Sequence, residues 1–137
     1  MESIKNYHLV KTGDLNHHGT LFAGRTAEWF VEAGFIAAAK LARPENIVCL
    51  NIHGMKFTKP VPSGAIVCLE SRVVLTGRTS LVVHVQSVFE EEIVLNGFIT
   101  FVHVDEKGKP QPHHLTVEAT SEEEKAIQAQ ARDLRRS

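Results

Sequence analysis

Residues 14–34 read DLNHHGTLFAGRTAEWFVEAG. The stretch decides the fold because its character changes halfway along. Asp14 to Gly19 is polar and turn-forming, with Asn16 suited to an Asx-turn. From Ala23 to Leu41 the pattern is helical: Ala27, Phe30, Val31, Gly34, Ala38 and Leu41 recur at helix spacing. Trp29, Ala33, Ile36 and Ala37 stand on the other side, so the helix is apolar nearly all round and is expected to be buried on most sides. Its second half is rich in Ala and Gly, which lets neighbouring backbone approach, and Pro44 in "ARPEN" stops it.

Strand-like runs surround this helix. Residues 5–11 form a short first strand. Four more are expected at 47–57, 65–75, 81–89 and 93–104, punctuated by "KPVPSG", "TGRTS", "EEE" and "DEKGK". Residues 121–135 read as a polar, charged helix on the surface. One buried helix wrapped by a meandering antiparallel sheet is an α+β arrangement. Residues 1–137 make a single domain, with 116–137 as its polar C-terminal helix and tail. Such a sheet has two edges to protect, and pairing with a second copy protects one of them.

Composition excludes several functions. The chain has 137 residues, 43% of them apolar, and a net charge of −1. That supports a real core and lacks the basic footprint of a nucleic-acid binder. The N-terminus "MESIKNYHLV" has no apolar signal region, and the apolar helix is too short to span a bilayer. Cys49 and Cys68 sit in apolar runs without a CxxC pattern, so both are expected to be reduced and buried in a cytoplasmic protein.

The motifs in order carry a family likeness. "NHHGTLFAG" from Asn16 to Gly24 opens the apolar helix; "FTKPV" from Phe57 to Val61, Gly64, "GRTS" from Gly77 to Ser80 and "VDEKGKP" from Val104 to Pro110 follow. This series resembles the hot-dog fold acyl-CoA thioesterases over roughly residues 8–115. The resemblance implies a long central helix wrapped by an antiparallel sheet, hydrolysis of acyl-CoA to free acid and CoA, and no cofactor beyond the CoA of the substrate. It also implies a homodimer joined edge to edge, often built into a hexamer, with each site shared between subunits. An asparagine, Asn16 here, faces a helical aspartate of the other chain. Against the family's "W-M-D-E-A" this chain reads Trp29, Phe30, Val31, Glu32, Ala33, so Val31 stands at the aspartate's position.

Thioester hydrolysis needs an oxyanion stabiliser and a group that activates water. Free N–H groups near Ala23 and Gly24 can supply the first, and Gly19 and Gly24 allow close approach. Candidates for the second are Glu32, Glu28, His17 and His18. At about 100° per residue, Glu32 points about 100° away from Val31, and Glu28 about 60° away on the same side. Arg25 stands three residues before Glu28 and can pair with it. Asn16 cannot be a base but can orient water. Arg78, with Thr79 and Ser80, suits a phosphate, and in the family this turn lies near the CoA phosphates. The pairs His17–His18 and His113–His114 lack the spacing of a metal site. A second reading is a hot-dog protein that binds an acyl thioester without hydrolysing it.

Overall fold

A computed structural model describes residues 1–134. The elements are β1 (Ile4–Leu9), α1 (Ala23–Ala39), β2 (Ile47–Phe57), β3 (Ile66–Thr76), β4 (Ser80–Phe89), β5 (Glu92–His103) and α2 (Glu122–Leu134). Single 3-10 turns lie at Thr12–Asp14 and Pro44–Asn46. Each expected element is present within one or two residues of its expected ends.

The five strands form one antiparallel sheet in the order β1-β3-β4-β5-β2. The meander is therefore partial. β3, β4 and β5 follow one another, but β2 crosses to the far side and pairs with β5. That crossing leaves β2 as an edge, and its side chains Val48, Leu50 and Ile52 are 47%, 67% and 42% exposed.

α1 lies across the inner face of the sheet. Phe30, Ala33, Ala37 and Ala38 are buried against Val67, Leu69, Val83, Val85, Ile99 and Phe101. Burying a side chain the size of Phe30 stabilises by roughly 1.5–3 kcal/mol. Gly34 sets the helix–sheet distance, because a Cβ there would meet Ile99 Cδ1 at 2.7 Å and Val85 Cγ2 at 3.3 Å. The buried Ser71 hydroxyl donates to the Ala33 carbonyl at 3.0 Å, tying the helix to β3. Trp29 stacks on His8 of β1, with ring centroids 4.3 Å apart.

α1 is buried on most sides, as expected, and its remaining side is an open apolar stripe of Gly24, Ala27, Val31 and Phe35 flanked by Glu28 and Glu32. Two expectations need correction. The cysteines are not both buried, since Cys49 is exposed on the edge strand and Cys68 is half-buried on the outer face. α2 is more than a loose surface helix. Ile127, Ala131 and Leu134 pack on Val74, Leu75, Val82 and Phe98 of the outer face. The Gln128 amide donates to the Val74 carbonyl, and Arg72 pairs with Glu123.

Candidate functional site

The loop before α1 is organised by two side chains. The Asn16 Oδ1 accepts the backbone N–H of His18 at 2.8 Å and of Thr20 at 3.2 Å, while its Nδ2 donates to the Thr20 hydroxyl at 3.1 Å. The expected Asx-turn is present, and it fixes the amide's position. Gly19, with φ at +80°, makes the reversal that L side chains resist. Asp14 is buried; it accepts the Lys11 N–H at 2.9 Å and pairs with the Arg25 guanidinium at 3.2 Å. Arg25 also binds Glu28 at 3.2 Å. Loop and first helical turn are thus locked together.

α1 begins without a side-chain cap, its N-cap being Phe22. Among the described residues none accepts from the N–H groups of Ala23 and Gly24, and these are the donors the sequence pointed to. They lie at a junction. On one side is a cleft of about 370 Å³ lined by Asn16, Thr20, Ala23, Thr26 and the Phe57–Val61 wall. On the other is the open apolar stripe from Gly24 to Phe35.

The expected site residues fall in three places within one protomer. Asn16 faces the first cleft, and Gly19 and the exposed His17 and His18 sit in the loop that borders it. The two histidine rings pack together, centroids 3.9 Å apart. Gly24, Val31, Glu28 and Glu32 belong to the stripe, where Val31 is half-buried and both glutamates are exposed. Arg78 and Thr79 sit at the β3–β4 turn with Ser80. Arg78 is exposed and lines a separate pocket with Pro112–Thr116.

That third pocket is firmer than an ordinary hairpin tip. His113 Nε2 donates to the Ser80 carbonyl at 2.9 Å, and its Nδ1 accepts the Leu115 N–H at 2.9 Å. His103 donates to the Gln111 carbonyl and packs edge-on against His113. The segment after β5 therefore braces the turn.

Sequence reasoning assigned no part to Thr26 and Thr58, which line the first cleft together with Lys59. Thr58 and Lys59 lie in the "FTKPV" motif, which was a usable signal. Thr26 gave none, being one more small residue on a helix. Glu92 bonds Lys59 at 2.7 Å and holds its ammonium above the ordinary pKa.

Comparison with known proteins bears on these three places. Residues 18–95 match the Thioesterase superfamily profile. A relative in Bacillus subtilis, named as an uncharacterized acyl-CoA thioester hydrolase, YkhA, is 34% identical over 130 residues, covering 87% of this chain and 75% of its own. The crystal structure of an apo-hexameric acyl-CoA thioesterase superposes with a TM-score of 0.88 at 32% identity, over 96% of this chain and 86% of that one. An acyl-CoA hydrolase from Staphylococcus aureus, solved with butyryl coenzyme A, coenzyme A and coenzyme A disulfide, superposes with a TM-score of 0.82 at 27% identity, over 98% and 85%. The Staphylococcus aureus enzyme has also been solved with an asparagine and with an aspartate replaced by alanine. Those two residues are as far apart in its sequence as Asn16 and Val31 are in this one. The profile spans more than half of the chain, and the solved neighbours share its fold: the chain belongs to the thioesterase superfamily, with a hot-dog fold.

Proposed function

We propose that the protein hydrolyses acyl-CoA thioesters to a free acid and CoA, in a site completed between two copies of the chain. The observation that carries this is the junction at the start of α1. Two N–H groups without an acceptor among the described residues and the helix dipole meet there, between the Asn16 cleft and an open apolar stripe. The named activities of the relatives point the same way.

In this reading the thioester carbonyl lies over Ala23 and Gly24. Water adds to the carbonyl carbon, the oxyanion is held by the N–H groups, the C–S bond breaks, and the CoA thiolate takes up a proton. Asn16 orients the water. Val31 makes the wall beside the carbonyl apolar, so Glu32 is the carboxylate we assign as base, with Glu28 committed to Arg25. His18, in the loop between Asn16 and Thr20 of the first cleft, is the alternative. Arg78, with Thr79 and Ser80, receives the CoA phosphates. The reaction needs no cofactor. The protein acts in the cytoplasm, and no helix among the described residues is long and apolar enough to cross a membrane.

Partners are further copies. The exposed edge of β2 and the α1 stripe are the two apolar surfaces a second protomer covers. The assembly we propose is a dimer through β2, three of which make a hexamer; a solved neighbour at 32% identity is hexameric.

One observation favours a second reading, binding without hydrolysis: position 31 carries no carboxylate. Release of free thiol from a panel of acyl-CoAs decides. Turnover of any chain length above the buffer rate supports hydrolysis. Saturable binding without thiol release leaves the binding reading.

A further inference from the structure

We propose that His113 is a positioning residue for the CoA moiety of the substrate: it sets the β3–β4 turn so that Arg78 meets the phosphates. This rests on the reading above that Arg78 receives them, and it gives a role to a residue outside the catalytic junction. The turn is gripped at three consecutive carbonyls. Those of Arg78, Thr79 and Ser80 accept, in order, the His113 N–H at 3.3 Å, the His103 N–H at 2.6 Å and the His113 ring Nε2 at 2.9 Å. The Ser80 carbonyl also accepts the Gly77 N–H at 3.0 Å, the bond that closes the hairpin. Nε2 therefore holds the oxygen that sets the width of the turn. Of the three grips on the turn, it is the one made by a side chain, and so the one a substitution can remove.

The ring is itself fixed at both nitrogens. Nε2 donates to a carbonyl and Nδ1 accepts the Leu115 N–H at 2.9 Å, so its partners select the neutral ring with the proton on Nε2. Leu115 packs against the main core. His114, between the ring and that N–H, takes a φ of +57°, a left-handed turn uncommon outside glycine. His103 stands edge-on to the ring, centroids 6.1 Å apart, with its Nδ1 on the Gln111 carbonyl at 2.8 Å. A line of contacts thus runs from the core through Leu115 and His113 to the turn that carries Arg78. Arg78 and His113 line one cavity of about 400 Å³. An exposed arginine on a loose turn must order both backbone and side chain to hold a phosphate. Here the backbone is ordered in advance, and its carbonyl oxygens, which repel an anion, are already engaged by the brace. Only the guanidinium arm is left to settle on the ligand.

Calorimetric titration with CoA at low ionic strength tests it, on the parent, Arg78→Ala, His113→Ala and the double variant, with circular dichroism confirming that each is folded. His113→Ala should weaken CoA binding roughly threefold or more, the effect of losing one ordering hydrogen bond, and no more than Arg78→Ala does. The double variant should bind no more weakly than Arg78→Ala alone, because the brace acts only through Arg78. Two further variants divide the brace and decide even if His113→Ala does not fold. His113→Gln keeps an amide donor for the Ser80 carbonyl and should recover most of the affinity. His113→Asn keeps only an acceptor for the Leu115 N–H and should bind CoA more weakly than His113→Gln. Parent-like affinity in His113→Ala beside a weakened Arg78→Ala overturns the role of His113 alone. Parent-like affinity in Arg78→Ala overturns the phosphate reading and this inference with it. Losses that add in the double variant overturn it too, since His113 would then act on CoA by another route. So does an asparagine variant that binds as tightly as the glutamine one, because the bond to Leu115, and not the grip on the turn, would be what matters.

Discussion

Position 31 is where the side chains and the proposed chemistry disagree most. Val31 is half-buried in an apolar stripe, and the carboxylates that flank it, Glu28 and Glu32, are exposed. General-base catalysis is worth roughly 100–10,000-fold. If the oxyanion donors and Asn16 are intact, Val31→Asp should raise the rate of thiol release by a factor within that range. No change would mean that the carbonyl does not lie at this wall. Glu32→Gln keeps the side chain's shape and removes its basicity. It should lower kcat at least tenfold with little change in KM, and parent-like kinetics would pass the role to His18 or Glu28. Arg78 is exposed on a turn that His113 holds rigid. Arg78→Ala should weaken CoA binding severalfold at low salt and much less at high salt, leaving thermal stability unchanged. Equal affinity at both ionic strengths would reduce Arg78 to a solvated turn residue. The Asn16 turn and the Gly19 reversal were legible in the sequence because turn chemistry is a local property. The bracing of the Arg78 turn by His113 was not, because it joins segments 33 residues apart.

At the scale of elements, two glycines of α1 contrast. A Cβ at Gly34 runs into Ile99 and Val85, which cannot retreat from a closed core, whereas one at Gly24 meets only the ring edge of the exposed Phe22. Gly34→Val should therefore cost about 1–3 kcal/mol by overpacking, and Gly24→Ala should cost no stability at all. Denaturant unfolding of the two variants checks the difference. A second element-level prediction concerns the seat of α2. His84 is buried, bonded through Nε2 to the Asn96 Oδ1 at 2.6 Å, beside Phe98. Burial is the main cause that lowers its pKa; the Asn96 bond opposes this, and the nearby Arg72 adds to it. The native state therefore prefers the neutral ring. Its contribution is complete above the ordinary histidine pKa of about 6.5 and is lost as pH falls from there toward the lower native value. One proton sets a limiting slope of about 1.4 kcal/mol per pH unit. Urea midpoints should drop between pH 7 and 5, and His84→Gln should flatten part of the drop; parallel curves would exclude His84 as the source. The strand and helix ends were readable because Gly, Pro and charge clusters mark them. The pairing of β2 with β5 was not, since register across a crossover depends on contacts distant in sequence. The error over the cysteines follows from this, because an apolar run reads the same on a central strand as on an edge.

For the whole molecule, the question is whether one chain can hold a complete site. Asn16 and Val31 belong to different clefts of one protomer, and the apolar surfaces that would close around a substrate are open in a single copy. An apolar stripe of this kind is explained if a neighbour supplies the opposite wall. Complementation tests that directly. Asn16→Ala removes the loop's contribution, and Val31→Arg fills the stripe with a charge; each variant alone should be inactive. If the site takes Asn16 from one chain and α1 from the other, a mixed dimer has one site with both defects and one with neither. After dissociation and reassociation at equal amounts, half of the dimers are mixed, so about a quarter of the parent activity should return, on the two-fold arithmetic of a symmetric dimer. Mixing without dissociation should restore nothing until subunits exchange. A site contained within one chain would show no recovery under either protocol, and the intersubunit reading would have to be given up even if the protein proved to be a hexamer.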